Sequence, residues 1–192
     1  MNSMNSVKRR RSHPRISLKT RAEEYLDRAR DLYIFSEDSR PALLREALAI
    51  ARRSLLIDPQ NYEALLLLGN IISDIDDPKC IPQALRYYDQ AIALHPEIPD
   101  GYDAKADLLM YWLDRPEEAE LLARKALALS VQSGEVSEYC YSTLIDILIG
   151  RKKFAQARRL IGRALRDCPG ESMEDMVAQR LKEIESSREA IH

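Results

Sequence analysis

The chain has 192 residues, of which 45% are hydrophobic and 31% charged, and its formal net charge is −2. This length and apolar content suffice to bury a core, so we expect one soluble domain or one stacked array of units. No apolar run approaches the roughly 20 residues that span a bilayer, and the three cysteines are odd in number and far apart, which argues against a disulfide framework. These features predict a cytoplasmic protein that does not enter a membrane.

Residues 1–17 are predicted to form a disordered basic arm. Residues 1–21 carry seven basic residues and no acidic one, whereas the rest of the chain has a net charge of −9. The run KRRRSHPR, from Lys8 to Arg15, fits a nuclear-targeting signal, a nucleic-acid patch or a kinase site at Ser12. Because such short matches are often false, we favour a solvated tail.

A first helical hairpin is predicted over residues 18–59. An apolar stripe that begins at Leu18 and includes Tyr25, Ala29 and Leu32 indicates its first helix. An enlarged turn from Ser36 to Pro41 follows, and Ser39 in that turn can cap the second helix.

The second hairpin, residues 60–96, has the most regular pattern in the chain. Leu65, Leu68, Gly69 and Ile72 recur at spacings of three and four, which places them on one face of a helix. Ala84, Tyr88 and Ala91 do the same on the next helix. Since Gly69 and Ala84 are small and central on these faces, we expect the two residues to meet across the hairpin.

This pattern recurs along the chain. Triplets spaced by four and then three residues are Ala47, Ala51 and Ser54; Ala84, Tyr88 and Ala91; Ala119, Ala123 and Ala126; and Ala157, Ile161 and Ala164. Successive copies lie 35 residues apart and then 38 apart, and a period in this range with two helices per unit is typical of a helical solenoid. Third and fourth units are predicted over 97–131 and 135–169, with an extended joint between Ser130 and Glu138.

A last amphipathic helix is predicted within residues 171–192, from about Ser172 to Ala190. Its apolar stripe consists of Met173, Met176, Val177, Leu181 and Ile184. The end of a solenoid exposes the apolar face of its last repeat, so we interpret this helix as a cap; a partner-binding helix is the alternative.

The units resemble tetratricopeptide repeats. The second unit carries the signature best, through Leu65, Leu68, Gly69, Ile72, Ala84, Tyr88, Ala91 and Pro96. The resemblance extends over four repeats plus the C-terminal capping helix and covers residues 18–170 as the repeat array. It implies an all-α fold, a right-handed superhelical solenoid of antiparallel helix hairpins.

No constellation of catalytic residues stands out. The histidines are His13, His95 and His192, and none has a second ligand at helical spacing. The acids Asp74, Asp76 and Asp77 lack the glycine-containing spacing of a calcium loop. We therefore predict that the protein is not an enzyme and binds no metal or cofactor.

In tetratricopeptide proteins, residues opposite the packing stripe of each first helix line a concave groove. By that resemblance, the groove here consists of Leu26, Arg30, Tyr33, Glu63, Leu66, Asn70, Asp74, Asp100, Asp103, Asp107, Met110, Tyr111, Tyr139 and Asp146. Its later half is acidic. Aspartate is a poor residue for a helix interior, so Asp107 and Asp146 favour a binding role over mere solvation.

The function predicted from the sequence is a noncatalytic interaction scaffold or adaptor. Its groove would hold a peptide or helical segment of a protein partner that combines basic and apolar side chains. One alternative is a small dedicated chaperone of a secretion or assembly system. Another is a nucleic-acid-associated adaptor that acts through the basic arm. The sequence leaves the oligomeric state open.

Overall fold

The computed structural model describes residues 17–34, 40–75 and 77–189, and within these ranges it contains nine α-helices and no strand. The helices are α1 (Leu18–Ile34), α2 (Arg40–Ile57), α3 (Tyr62–Asp74), α4 (Ile81–Leu94), α5 (Asp100–Tyr111), α6 (Pro116–Ser133), α7 (Glu138–Gly150), α8 (Phe154–Asp167) and α9 (Glu171–Glu189). The arm of residues 1–16, most of the turn from Ser36 to Pro41, and the cap predicted at Ser39 lie outside the described residues.

Consecutive helices pair as hairpins, α1 with α2, α3 with α4, α5 with α6 and α7 with α8. The first helix of each hairpin also contacts the first helix of the next, so that α1, α3, α5 and α7 form an inner row. This arrangement confirms the predicted all-α solenoid of antiparallel hairpins. None of the described helices combines the length and the apolar content needed to cross a membrane.

Small residues allow the paired helices to approach closely. In the predicted triplets, every alanine is completely buried and Ser54 is buried as well. The Ser54 hydroxyl donates a hydrogen bond of 2.8 Å to the carbonyl oxygen of Ala22 on α1, so this buried polar group is satisfied. The triplets thus mark the contact face of each second helix.

The nearest neighbour of Gly69 is Tyr88, one turn after Ala84 on α4. A Cβ atom built on Gly69 would lie 2.3 Å from Cε1 of Tyr88, and its three nearest atoms all belong to that ring. Gly69 therefore packs beneath Tyr88, a closer contact than the sequence pattern had indicated. The Tyr88 hydroxyl reaches over α3 and donates a 2.9 Å hydrogen bond to Oδ1 of Asn70.

Local signals set the helix ends. Asn61 caps α3 through its Oδ1, which accepts a 2.9 Å hydrogen bond from the backbone N–H of Ala64. Helix α6 runs through Ser133 and ends at Gly134, whose φ of 79° is the left-handed conformation that glycine favours. The joint predicted from Ser130 to Glu138 is consequently shorter, residues 134–137. Ser130 secures this joint by accepting a 2.6 Å hydrogen bond from the Ser137 N–H.

Helix α9 packs on both α7 and α8. Met173, Val177 and Ile184 are buried in the same apolar cluster as the residues of the last two hairpins. It covers the apolar surface that the fourth hairpin would otherwise leave exposed, as a terminal cap is expected to do.

The contact beneath Tyr88 provides a test of the packing. In Gly69→Ala the added methyl group must displace the Tyr88 ring, and overpacking of this kind costs about 1–3 kcal/mol. The helix propensity of alanine offsets about 1 kcal/mol of that cost. We expect a lower midpoint of thermal unfolding.

The matched control is Gly162→Ala on α8. The atom nearest to the added methyl group lies 3.9 Å away there, so we expect this change to raise the midpoint. A midpoint raised equally by both changes would contradict the packing of Tyr88 on Gly69.

Candidate binding groove

Three adjoining cavities follow the inner row of helices. They have volumes of 520, 240 and 490 Å³, and the same residue, Asn70, lines all three. Leu66 and Asp100 line the first and third, while Ala104 and Asp107 line the second and third. Side chains from α1, α3, α5 and α7 therefore share one continuous concave surface, which we call the groove.

The N-terminal cavity combines one ion pair with apolar walls. Nη2 of Arg30 donates a 2.6 Å hydrogen bond to Oε2 of Glu63 and so joins α1 to α3. Tyr33, Ile34 and Ile98 are among the residues that line the same cavity. Because Arg30 is already paired with Glu63, the charge available at this end of the groove is small.

The central cavity is polar. The Tyr33 hydroxyl donates a 3.0 Å hydrogen bond to Oδ2 of Asp74, and Ser73 donates a 2.8 Å hydrogen bond to the carbonyl oxygen of Asn70. Trp112 at the end of α5 also lines this cavity. These contacts fix the orientations of the polar side chains before any ligand arrives.

The C-terminal cavity gathers the carboxylates. Its lining includes Asp100, Asp103, Asp107 and Asp146 together with Leu66 and the ring of Tyr139. Tyr139 is 81% exposed and Tyr111, near the same end of the groove, is 64% exposed. Both rings are therefore accessible to a partner that enters the groove.

Asp103 is the least solvated carboxylate of the group. Oδ2 accepts a 3.2 Å hydrogen bond from the Thr143 hydroxyl on α7, whereas Oδ1 is buried and has no hydrogen-bond partner among the residues that the structure describes. Burial raises the pKa of this carboxyl to about 7; the hydrogen bond from Thr143 opposes this effect, and the charges of Asp107 and Asp100 add smaller upward contributions. Asp103 thus lacks a cation of its own.

Asp107 lies one turn further along α5 and is more exposed. Partial burial raises its pKa to about 6, and the charges of Asp146 and Asp74 add to this effect. Water screens the more exposed carboxylate of Asp107 more effectively than that of Asp103. Both pKa values are raised for the same reasons: the carboxyls are partly removed from water, and other carboxylates lie nearby.

Asp146 has a partner that the sequence reasoning missed. Arg180 on α9 holds it through two hydrogen bonds, Nε to Oδ1 and Nη2 to Oδ2, the latter at 2.7 Å. Arg180 lies between Val177 and Ile184 in the stripe of α9 that packs inward, and a basic residue at such a position was the available signal. The last carboxylate of the groove is therefore neutralised by the cap.

Three of the predicted groove residues line none of the three cavities: Tyr111, which is exposed beside them, and Leu26 and Met110, which pack inward. Leu26 is only 4% exposed and packs in the apolar cluster formed by α1, α2 and α3. Met110 is partly buried, and its terminal methyl group approaches Gly150 on α7. Leu26 lies four residues after Ala22 and three before Ala29, both completely buried, so it belongs to the packing stripe of α1. Met110 packs where Gly150 has no side chain.

Conversely, Thr143, Tyr62 and Ile98 contribute to the cavities and were not predicted. Within the part of the chain that the structure describes, no group of three or more His, Cys, Asp or Glu side chains is placed to hold a metal ion.

Comparison with known proteins relates the chain to solved tetratricopeptide structures. PilF of Pseudomonas aeruginosa is 20% identical with a TM-score of 0.68, and the match covers 91% of this chain and 72% of that one. MamA is 18% identical with a TM-score of 0.57, over 88% and 92%. TTC0263, a thermophilic tetratricopeptide-repeat protein of Thermus thermophilus, is 17% identical with a TM-score of 0.51, over 83% and 98%. The chain has the tetratricopeptide-repeat fold.

No protein-family model and no curated protein sequence matches the chain.

The raised pKa of Asp103 predicts how the stability of the protein depends on pH. Its folded-state pKa is raised, so the folded protein binds more protons than the unfolded chain between about pH 4 and pH 7, and stability falls as the pH rises through this window. We expect Asp103→Asn to stabilise the protein more at pH 8 than at pH 5, measured by urea unfolding at both values.

The control for this measurement is Asp167→Asn. A hydrogen bond from Tyr141 lowers the pKa of Asp167, so this group stays ionised at both pH values and its replacement should have the same effect at each. An Asp103→Asn effect that is also independent of pH would show that Asp103 is fully ionised and well solvated in the folded protein.

Proposed function

We propose that the protein is a noncatalytic interaction scaffold whose groove holds a segment of another protein, and that this segment presents lysine or arginine among apolar side chains. The observation that supports the proposal most directly is the C-terminal cavity, where Asp100, Asp103 and Asp107 lie beside Leu66 and Tyr139. These residues lie among α3, α5 and α7 of the inner row, and apart from the hydrogen bond from Thr143 to Asp103 the three carboxylates make no hydrogen bond with the described residues that would account for them structurally.

A cation from the partner would complete the cavity electrostatically. The buried Oδ1 of Asp103 has no partner, and a lysine ammonium or an arginine guanidinium would supply the missing donor. Hydrogen bonding to the charged form of Asp103 would also lower its raised pKa, so binding would be accompanied by proton release near neutral pH. Charge would chiefly direct association and orientation.

Apolar contacts would supply most of the affinity. Tyr139 and Tyr111 are large, exposed and rigid, and aromatic side chains dominate the energetics of many interfaces. The cavity volume of 490 Å³ accommodates several side chains but not a folded domain. The partner would therefore bind as an extended or helical segment.

The proposal is tested by changing the charge of the groove. In Asp103→Asn with Asp107→Lys, the buried position keeps an isosteric side chain and the exposed one receives the reversed charge. We expect the affinity for a synthetic peptide that alternates lysine with leucine to fall by about tenfold or more, and its dependence on salt to weaken. Fluorescence anisotropy of the labelled peptide measures both.

The matched control is Glu24→Gln with Asp31→Lys, which changes the net charge equally at two exposed positions outside the three cavities. We expect this variant to bind almost as the unchanged protein does. Equal losses in both variants would mean that the peptide responds only to overall charge, and unchanged binding in both would place the binding surface elsewhere. The same titration with a client recovered by affinity capture distinguishes a scaffold from a dedicated chaperone, since a chaperone is expected to bind one client.

A further inference from the structure

The outer face of α8 carries a second charged surface of the opposite sign. Residues 151–167 contain seven basic residues and one acid, in a chain whose overall charge is −2. On α8, Arg159, Arg163 and Arg166 follow at spacings of four and three, which places them on one face. The buried residues Ala157, Ile161 and Ala164 occupy the opposite face, against α7. We call this surface, with Lys152 before the helix, the α8 basic face.

Some cations of this region are already neutralised. The buried carboxylate of Glu120 on α6 accepts hydrogen bonds from Arg151 at 2.6 Å, from Lys153 at 2.8 Å and from Arg124 at 2.8 Å. Burial alone would raise the pKa of Glu120, but the hydrogen bonds from Lys153 and Arg124 outweigh it and the pKa is lowered. Glu120 therefore ties the 151–153 turn to α6 as a structural ion cluster.

The cations that remain point outward. Lys152, Arg159 and Arg166 form no ion pair with any residue in the described part of the chain. Arg163 uses only its Nε for Asp167, at 3.0 Å. Like charges at this density repel one another, so their persistence on one face of a helix favours an anionic partner.

Apolar surface lies between these cations. A cavity of 270 Å³ between α6 and α8 has Leu148 and Leu160 in its lining and Arg124, Arg159 and Arg163 around them. A second cavity, of 540 Å³, shares Gln156 and Arg159 with the first and continues toward the 151–153 turn. On α6, Leu121 lies one turn before Arg124 and is 70% exposed.

We infer that the α8 basic face is a second binding site, and that it takes an acidic protein segment carrying at least one leucine-sized side chain. Arginine forks match carboxylate geometry in pairs, and the cavity between α6 and α8 would receive the apolar side chain. A nucleic acid fits less well, because Phe154, the single aromatic residue of α6 and α8, is partly buried and packs against the apolar core, which leaves no fully exposed ring there for base stacking. This inference does not depend on what the groove binds.

The consequence is a protein with two faces of opposite charge. A basic segment in the groove and an acidic segment on the α8 basic face would be held at the same time, since the first lies on the inner row of helices and the second on the outer row. The protein would then bridge two partners.

The test uses the full-length protein and three fluorescent probes. They are a synthetic peptide of glutamate interleaved with leucine, the same peptide with its leucines replaced by serine, and a single-stranded RNA of equal charge. Anisotropy titrations at physiological salt compare the unchanged protein with Arg159→Glu/Arg166→Glu. We expect this variant to bind the glutamate–leucine peptide at least about tenfold more weakly. We also expect the serine peptide to bind the unchanged protein about tenfold more weakly.

Two controls separate this site from general electrostatics. Arg52→Glu/Arg53→Glu makes the same charge change at exposed positions of α2, and Arg9→Gln/Arg10→Gln/Arg11→Gln removes three of the five positive charges of the N-terminal arm; we expect each to alter the affinity by about twofold or less. If Arg159→Glu/Arg166→Glu does not fold by circular dichroism, Arg159→Gln/Arg166→Gln replaces it with a smaller loss expected.

Three results would overturn the inference. The first is that the unchanged protein fails to bind the glutamate–leucine peptide, and the second is that the α2 or arm variant loses as much affinity as the α8 variant. The third is that the RNA and the serine peptide bind as tightly as the glutamate–leucine peptide. The last result would identify a polyanion surface of the nucleic-acid kind.

Discussion

The close approach of paired helices is the constraint on which the rest of the structure depends. Completely buried alanines on the second helices, and Gly69 beneath the ring of Tyr88, leave no room for larger side chains at these contacts. The apolar stripes are therefore buried between the helices. Polar residues lie on the remaining faces, which are those of the inner row and those of the second helices of the hairpins. Carboxylates and exposed tyrosines lie on the inner row, and arginines lie on the outer face of α8. Charge segregation in this protein follows from its packing.

The fold could be predicted because its signal is local and repeated. Spacings of three and four define each stripe, and their recurrence identifies the hairpins without any knowledge of their neighbours. Individual side chains were harder to place. Leu26 is buried with the stripe of α1 and does not face the groove, and the ring that covers Gly69 belongs to Tyr88 on the neighbouring helix. Arg180 reaches Asp146 across 34 residues, and no local pattern encodes such a contact.

The groove and its cap are coupled electrostatically. Arg180 neutralises Asp146 at one end and Arg30 pairs with Glu63 at the other, so the cations of the protein itself are placed at the two ends. Between them Asp103 and Asp107 form no ion pair with any described residue, and burial raises the pKa of both carboxyls. Groups held in an unfavourable state in the free protein are the ones that a complementary ligand stabilises most, and this supports the proposal that the partner binds in this part of the groove.

The measurement that tests the central claim most directly is a nuclear magnetic resonance titration of the isotope-labelled full-length protein with a lysine–leucine peptide. If the groove binds it, the largest shift changes will occur at Leu66, Ala104, Tyr139 and Thr143 on α3, α5 and α7, with the signals of α2 unchanged. Changes confined to the second helices of the hairpins, or spread evenly over all acidic residues, would contradict the assignment of the groove as the binding site.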